Sequence, residues 1–363
     1  MADPALLDPA FDPAAEPVVE ARPAAEPVRR RGLLIAVWLL LLVVSLVVAT
    51  RVGQGGGIGW AELGRAAGTR LGLPVQPLPR LADSLIWDLR VPRVLLAALV
   101  GAILAVCGAA LQSVTRNALA DPYLLGVSSG ASTGAVVVVV LGFAGSQLGV
   151  TGGAFAGALL SFGLLMLLLR RRGVDSVRIV LTGVVVAELF AALTSLVIMS
   201  SGDADSTRAL AHWLLGSMAP ARWQSVFVCA LAAAIGLLVI WSCSAALDGF
   251  AFGSDTAASL GIDVRTTRTV LLVTTSLLTA VAVAAVGAIG FVGLIVPHGV
   301  RFLAGPSHRL LLPLSAVAGA VFLVWTDAVA RVLFAPLEVP VGVFTALIGV
   351  PLFLLVLRRR GEL

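Results

Sequence analysis

Lysine is absent from this 363-residue chain. That excludes a nucleotide-binding P-loop of the usual kind, whose G-x-x-x-x-G-K-[ST] motif needs a lysine to reach the phosphates. Charge of either sign is scarce, at 12% of residues, where a soluble domain carries about a quarter. Cysteine and histidine number three each. Cys107, Cys229 and Cys243 all fall inside apolar runs. Cys229 and Cys243 would lie about 21 Å apart on one predicted helix at the helical rise, so they cannot pair with each other. All three read as small buried hydrophobes, without disulfide or metal spacing. His298 and His308 are too sparse for a haem or metal site, so no cofactor is expected in this chain.

What remains is hydrophobic. Apolar residues make up 59% of the chain and the mean hydropathy is +1.04, the composition of an integral membrane protein. The net charge of +5 rests on arginine alone. It calls for no nucleic acid, because arginines outside the spans are expected mainly on the cytoplasmic side of a lipid bilayer.

Met1 to Val28 is rich in Ala, Pro and Glu without apolar periodicity, so residues 1–32 are expected to form a disordered cytoplasmic tail. Arg29, Arg30 and Arg31 then precede Leu33 to Thr50, an apolar run as long as a span and with no A-x-A site behind it, read as a signal-anchor-like first helix. Nine further spans follow at Val94 to Val114, Val127 to Gly145, Thr151 to Leu169, Val177 to Met199, Ser225 to Ala246, Thr269 to Val286, Ile289 to Phe302, Leu310 to Leu333 and Val341 to Leu357. The third and eighth of the ten are short. Alternation from an inside start puts Arg116, Arg170 to Arg172, Arg265, Arg268, Arg301, Arg309 and Arg358 to Arg360 in the cytoplasm, as the positive-inside rule requires. Both termini are then cytoplasmic, in the plasma membrane. An odd number of spans would break this agreement.

Glycines at four-residue spacing, Gly126, Gly130 and Gly134 and again Gly153 and Gly157, predict closely packed helices. Spans two to five and seven to ten read as two four-helix units of opposite starting side, each with an interrupted, glycine-rich element after its first helix, hence as inverted repeats. The fold class is therefore all-α, with about ten membrane helices, some short or broken, over residues 33–360. The stretch that departs most from a plain span is Gly287 to Arg301, GAIGFVGLIVPHGVR, with four glycines, Pro297, His298 and Arg301 in lipid-grade sequence. Non-helical backbone at membrane depth occurs only where protein buries it or a cavity is lined by it. The expectation is a hinge at the inner end of a pathway, where Pro297 ends helical hydrogen bonding and His298 and Arg301 emerge at the cytoplasmic face.

Along the chain lie Arg90-Val-Pro-Arg93, Arg116-Asn-Ala-Leu-Ala-Asp-Pro122, Leu125-Gly-Val-Ser-Ser-Gly-Ala131, Trp213, Gly216-Ser217, Gly253-Ser-Asp-Thr-Ala-Ala-Ser-Leu-Gly261, GFVGLIVPHGVR, Asp327, Arg331, Glu338-Val-Pro-Val-Gly342 and Gly349-Val-Pro-Leu-Phe353. In this order they resemble the permease subunits of the ABC importer family that takes up iron-siderophore complexes, haem and vitamin B12, and the match runs from about Arg90 to Phe353. Ala118 stands where that family usually has proline, and Glu188 in the fifth span where it more often has a neutral residue.

The resemblance implies a permease paired with a second copy or a sister permease. It also implies a partner ATPase, which binds ATP and magnesium in place of this chain, and an extracytoplasmic binding protein. The cargo would be a ferric siderophore, haem or cobalamin, and the first is expected on breadth of the class. Gly253 to Gly261 is the expected ATPase coupling loop: Asp255 would cap a short helix, Ala257, Ala258 and Leu260 would form its apolar face, and Gly261 would end it. His298 and Arg301 would lie beside this contact. Arg90, Arg93 and Arg331 map to the outer face against the positive-inside trend, and the resemblance implies that they dock acidic groups of the binding protein. Asp327, one turn before Arg331, offers that arginine a local partner instead. Gly126, Gly130, Gly287, Gly290, Gly293 and Pro297 are assigned to the pathway or its hinge, together with Glu188, an intramembrane carboxyl.

Two other classes fit single features. A proton-driven secondary transporter would use Glu188. An intramembrane serine hydrolase would use Ser128 in Gly126-Val-Ser-Ser-Gly130, with His298 as base, but that elbow needs a strand-to-helix turn and this pentapeptide lies between predicted membrane helices.

Overall fold

The computed structural model describes residues 28–53, 57–141, 147–170, 175–201, 210–211, 213–335 and 337–360. The chain divides after Val37. Of the first unit only residues 28–37 are described, and they form the opening turns of a helix, α1 (Val28–Arg51). Residues 28–32 are thus helical, a correction to the expected tail; its first 27 residues lie outside the described ones. All that follows concerns the unit from Trp38 onward.

Among the described residues this unit is helical, with no strand. α2 (Trp60–Arg70) starts where Glu62 accepts a hydrogen bond from the Gly59 amide at 2.9 Å. α3 (Arg80–Thr115) is one long helix with a π turn at Leu85–Arg90, where Pro92 removes a backbone donor and the ladder widens. Arg90 and Arg93 therefore sit within a helix rather than outside a span that begins at Val94. Then come α4 (Val127–Val140), α5 (Gln147–Leu169), α6 (Ser176–Ser201), α7 (Trp223–Ser242), α8 (Ser244–Phe250), α9 (Ser254–Ser259), α10 (Val264–Val286), α11 (Val292–Ala304), α12 (His308–Val332) and α13 (Val341–Arg360). Among the described residues seven helices, α1, α3, α5, α6, α7, α10 and α12, are long and apolar enough to cross a membrane, and α4, α11 and α13 hold the three shorter apolar segments. These ten match the ten expected spans.

The core is built around α3, 83% of whose most apolar window is buried. Its run of Ala and Gly explains this, because small side chains let backbones approach. A Cβ on Gly101 would come 2.2 Å from the Gly319 carbonyl of α12, and one on Gly108 would come 1.9 Å from the Gly293 carbonyl of α11. The glycine spacing read from the sequence does the same between α4 and α5, where a Cβ on Gly134 would meet Gly153 O at 2.0 Å and one on Gly157 would meet Gly130 O at 2.2 Å. By contrast α6 buries only 22% of its window, so its apolar surface is left for lipid or another chain.

Contacts at both ends fix directions. α3 and α12 are antiparallel, since Arg93 pairs with Asp327 at one end and Ser113 with His308 at the other. α11 runs parallel to α3, with Gly293 beside Leu104 and Arg301 beside Gln112. The two four-helix units, α3 to α6 and α10 to α13, share one order: long helix, break, short helix, long helix, helix. Positive φ marks both edges of each break, at Arg116 and Gly126 in the first and at Gly287 and Phe291 in the second. Glycine stands where the first break re-enters a helix and where the second leaves one, while bulky residues carry the strain at the other two edges.

Candidate functional site

The two breaks meet. Tyr123, the sole tyrosine of the chain, lies in the 3-10 turn Pro122–Leu125 of the first break. Its hydroxyl accepts from the Ile289 amide at 2.7 Å and donates to the Ile289 carbonyl at 2.9 Å. Pro122 packs on Gly293, where a Cβ would come 2.7 Å from its Cδ. Backbone that leaves helical geometry at membrane depth is thus satisfied by the other break.

Gly287 lies against the 213–216 loop, with a Cβ placed 2.1 Å from the Trp213 carbonyl, and Ser217 N donates to Val286 O at 2.8 Å. The helix that follows the break runs on through Pro297 to Ala304, which corrects the expectation that Pro297 ends helical hydrogen bonding. Pro297 does leave Gly293 O without its i+4 donor, and Gln112 of α3 supplies the replacement: its Nε2 donates to Gly293 O at 3.2 Å and Leu294 O at 3.1 Å, while its Oε1 accepts from Arg301 Nη1 at 2.7 Å. Pro313 of α12 is served in the same way, its orphaned Arg309 O accepting from Trp241 Nε1 at 3.3 Å. We expect Gln112→Ala to lower stability by about 1–3 kcal/mol, the cost of buried carbonyls left without donors, read as a fall in thermal unfolding temperature in detergent; an unchanged midpoint would show that water replaces the amide.

His298 is 3% exposed, edge-on to Phe302 at 5.4 Å. His298 is therefore not presented at a surface as expected, whereas Arg301 is half-buried, with Nη1 on Gln112. Among the hinge glycines, Gly126 begins α4 at φ 74° and Gly130 has no room for a Cβ, which would sit 2.4 Å from Ser161 Cβ. Gly293 is equally closed, whereas a Cβ on Gly290 would meet only Tyr123 Cε2 at 3.9 Å. Glu188 is exposed on the open face of α6, with no hydrogen bond or ion pair among the described residues. Ser128 is in the first turn of α4, which a 3-10 turn precedes and no strand.

The expected coupling loop, Gly253 to Gly261, folds as α9 with its flanks. α9 is capped by Gly253 at φ 105°, not by Asp255, which lies exposed in its first turn; Gly261, at φ 82°, ends it as expected. Ala257 is fully buried against the chain, so the expected apolar face is really Ala258 and Leu260, the latter 67% exposed, with Phe252 at 74% beside them. Phe252 was outside the expected face because it stands one residue before Gly253, where the expected loop begins. Asp263 caps α10 through Thr266 N at 3.0 Å, and hydrogen bonds from Thr266 hold its carboxyl below the usual carboxylate range.

At the other end, Arg93 forks between two carboxylates. Nη2 and Nε reach Asp327 Oδ1 at 3.0 and 3.1 Å, and Nη1 reaches Glu338 at 3.1 Å. Arg331 pairs with Asp327 at 3.1 Å and donates to Val52 O at 2.7 Å. Arg90 donates to Arg51 O at 2.8 Å. Arg90 and Arg331 are 6% and 2% exposed, so the structure places both as clamps on the free carbonyls ending α1 and corrects their assignment to an open docking face. Only the Arg93 side, bordered by the half-exposed Glu338, reaches the surface.

A bundle of mostly membrane-length helices with two interrupted helices joined at its centre is the architecture of a multi-pass membrane permease. The chain belongs to the FecCD transport family, whose sequence profile matches residues 39–359. It is 40% identical over 306 residues to a cobalamin import system permease of Halobacterium salinarum, covering 84% of this chain and 81% of that one. To an iron(3+)-hydroxamate import system permease of Bacillus subtilis it is 38% identical, over 77% of this chain and 73% of that one. A solved ABC transporter of metal-chelate type in an inward-facing conformation superposes with a TM-score of 0.79 at 29% identity, over 90% of this chain and 99% of that one. The chain is thus a transmembrane permease subunit of an ABC importer.

Proposed function

We propose that this permease carries an organic metal chelate, a ferric siderophore or a corrinoid, from an extracytoplasmic binding protein to the cytoplasm, driven by a separate ATPase that grips α9. One observation carries the reading: Leu260 and Phe252 stand exposed at the two ends of the short, capped helix α9, at the bundle end that also holds Arg116, Arg265, Arg268 and Arg309. An arginine-rich end is cytoplasmic by the positive-inside rule, and two bare apolar side chains in water suit a groove on a partner. Both termini are then cytoplasmic, and the Arg93 end faces out, where Arg93 receives acidic groups of the binding protein. Glu188 faces a second permease across the pathway, since a carboxyl on an otherwise lipid-facing helix is costly. The relatives handle cobalamin and iron hydroxamate by name, so both chelates should be offered. In proteoliposomes holding permease, ATPase and binding protein, uptake should require ATP and ignore a pH gradient; gradient-driven uptake without ATP would favour the proton-coupled reading through Glu188. Leu260→Asp should keep assembly and ATP hydrolysis while uptake falls by about tenfold or more, a coupling loss of at least about 1.4 kcal/mol.

A further inference from the structure

We propose that Asp248, His308 and Ser113 form the link through which movement of α9 reaches the interrupted helix α11; the proposal rests on the import reading above. Asp248 of α8 accepts from the His308 amide at 2.8 Å, capping α12 from a separate element, and from His308 Nδ1 at 2.6 Å. With Nδ1 protonated toward the carboxylate, Nε2 is the acceptor, and the Ser113 hydroxyl of α3 stands 2.6 Å from it. His308 is nearly sealed, with its side chain 5% exposed. Three helices are thus pinned at one imidazole.

Contact is continuous on both sides of the pin. Toward the ATPase end, Ala257 of α9 is buried and accepts from the Ile262 amide at 3.1 Å, and Ile262 packs over Gly249, the neighbour of Asp248; a Cβ on Gly249 would meet Ile262 Cδ1 at 2.5 Å. Toward the pathway, the neighbour of Ser113 is Gln112, which holds α11 at both its proline-orphaned carbonyl and Arg301. Close packing makes such a chain respond as discrete arrangements rather than by continuous bending. Tilting α9 would pull on α12 and α3 together, and α3 would carry Gln112 and the N-terminal half of α11 with it.

The test uses the assembled permease, ATPase and binding protein. Asp248→Ala and Ser113→Ala should each keep ATP hydrolysis near the unsubstituted rate while uptake falls about tenfold, so ATP consumed per chelate rises by that factor, within the usual range of coupling between sites. Asp248→Asn, which keeps an acceptor oxygen, should restore most of the coupling. Hydrolysis and uptake falling in parallel, or uptake unchanged, would make the cluster a structural pin only and overturn the proposal. Hydrogen exchange gives an arm independent of transport: the α11 amides should respond to nucleotide on the ATPase in the unsubstituted complex and stop responding in Asp248→Ala. A response that persists in the variant overturns the link even where uptake is never seen, whereas absent uptake in the unsubstituted complex overturns the import reading instead.

Discussion

Gly293→Leu should abolish uptake of every chelate offered, while Gly290→Ala should leave uptake at the unsubstituted rate. The two glycines stand three positions apart in one motif, yet their surroundings differ. A Cβ on Gly293 would lie 2.7 Å from the Pro122 ring and 2.9 Å from the Leu104 carbonyl, and neither a ring nor a backbone carbonyl can turn aside. Overpacking a filled core costs about 1–3 kcal/mol and more where backbone must shift, and here the shift would separate the two breaks that Tyr123 ties together. Gly290 has ordinary contact distance to Tyr123 and its φ is not positive, so a methyl adds no strain. Uptake of a siderophore and of cobalamin, measured beside binding-protein affinity, checks the contrast. The reading fails if Gly293→Leu still transports but selects differently among chelates, because the stretch would then touch cargo.

The ten helices were legible because seven are apolar runs of membrane length and three are shorter apolar runs, and the glycine spacing of α4 and α5 translated directly into close backbones. The broken helix at Gly287 was legible from composition, but the continuation of α11 past Pro297 was not. Pro297 reads as a stop, and only Gln112, 185 positions earlier and neutral in every pattern, shows why the helix runs on past it. Arg331 and Asp327 could be paired from their spacing; Arg93 could not, since its partners come from α12 and the loop after it. The arginines looked available for docking because sequence counts charges and not the carbonyls at the end of α1 that consume two of them. The His308 link was invisible for the same reason, its three members being spread over 195 positions without a motif.

Asp327→Ala should be the most destabilising single change in the chain. Its carboxylate is buried to 1% exposure and holds two guanidiniums, Arg93 at 3.0 Å and Arg331 at 3.1 Å. Removing one member of a buried ionic group strands the others, at a cost of about 3–5 kcal/mol, and thermal unfolding in detergent should fall accordingly. Glu338→Ala is the control at the same cluster. Its side chain is 34% exposed, so its pair with Arg93 is worth about 1 kcal/mol or less and the unfolding midpoint should scarcely move. The same variant reads out the docking role, because Glu338 occupies the edge of the Arg93 fork that an acidic partner would need. Binding-protein affinity should rise in Glu338→Ala, most at low salt, where exposed charges are screened least. Affinity that stays level in that variant would leave Arg93 as a structural residue like Arg90 and Arg331, and an Asp327→Ala protein that melts with the unsubstituted one would show that the cluster does not hold α3, α12 and the end of α1 together.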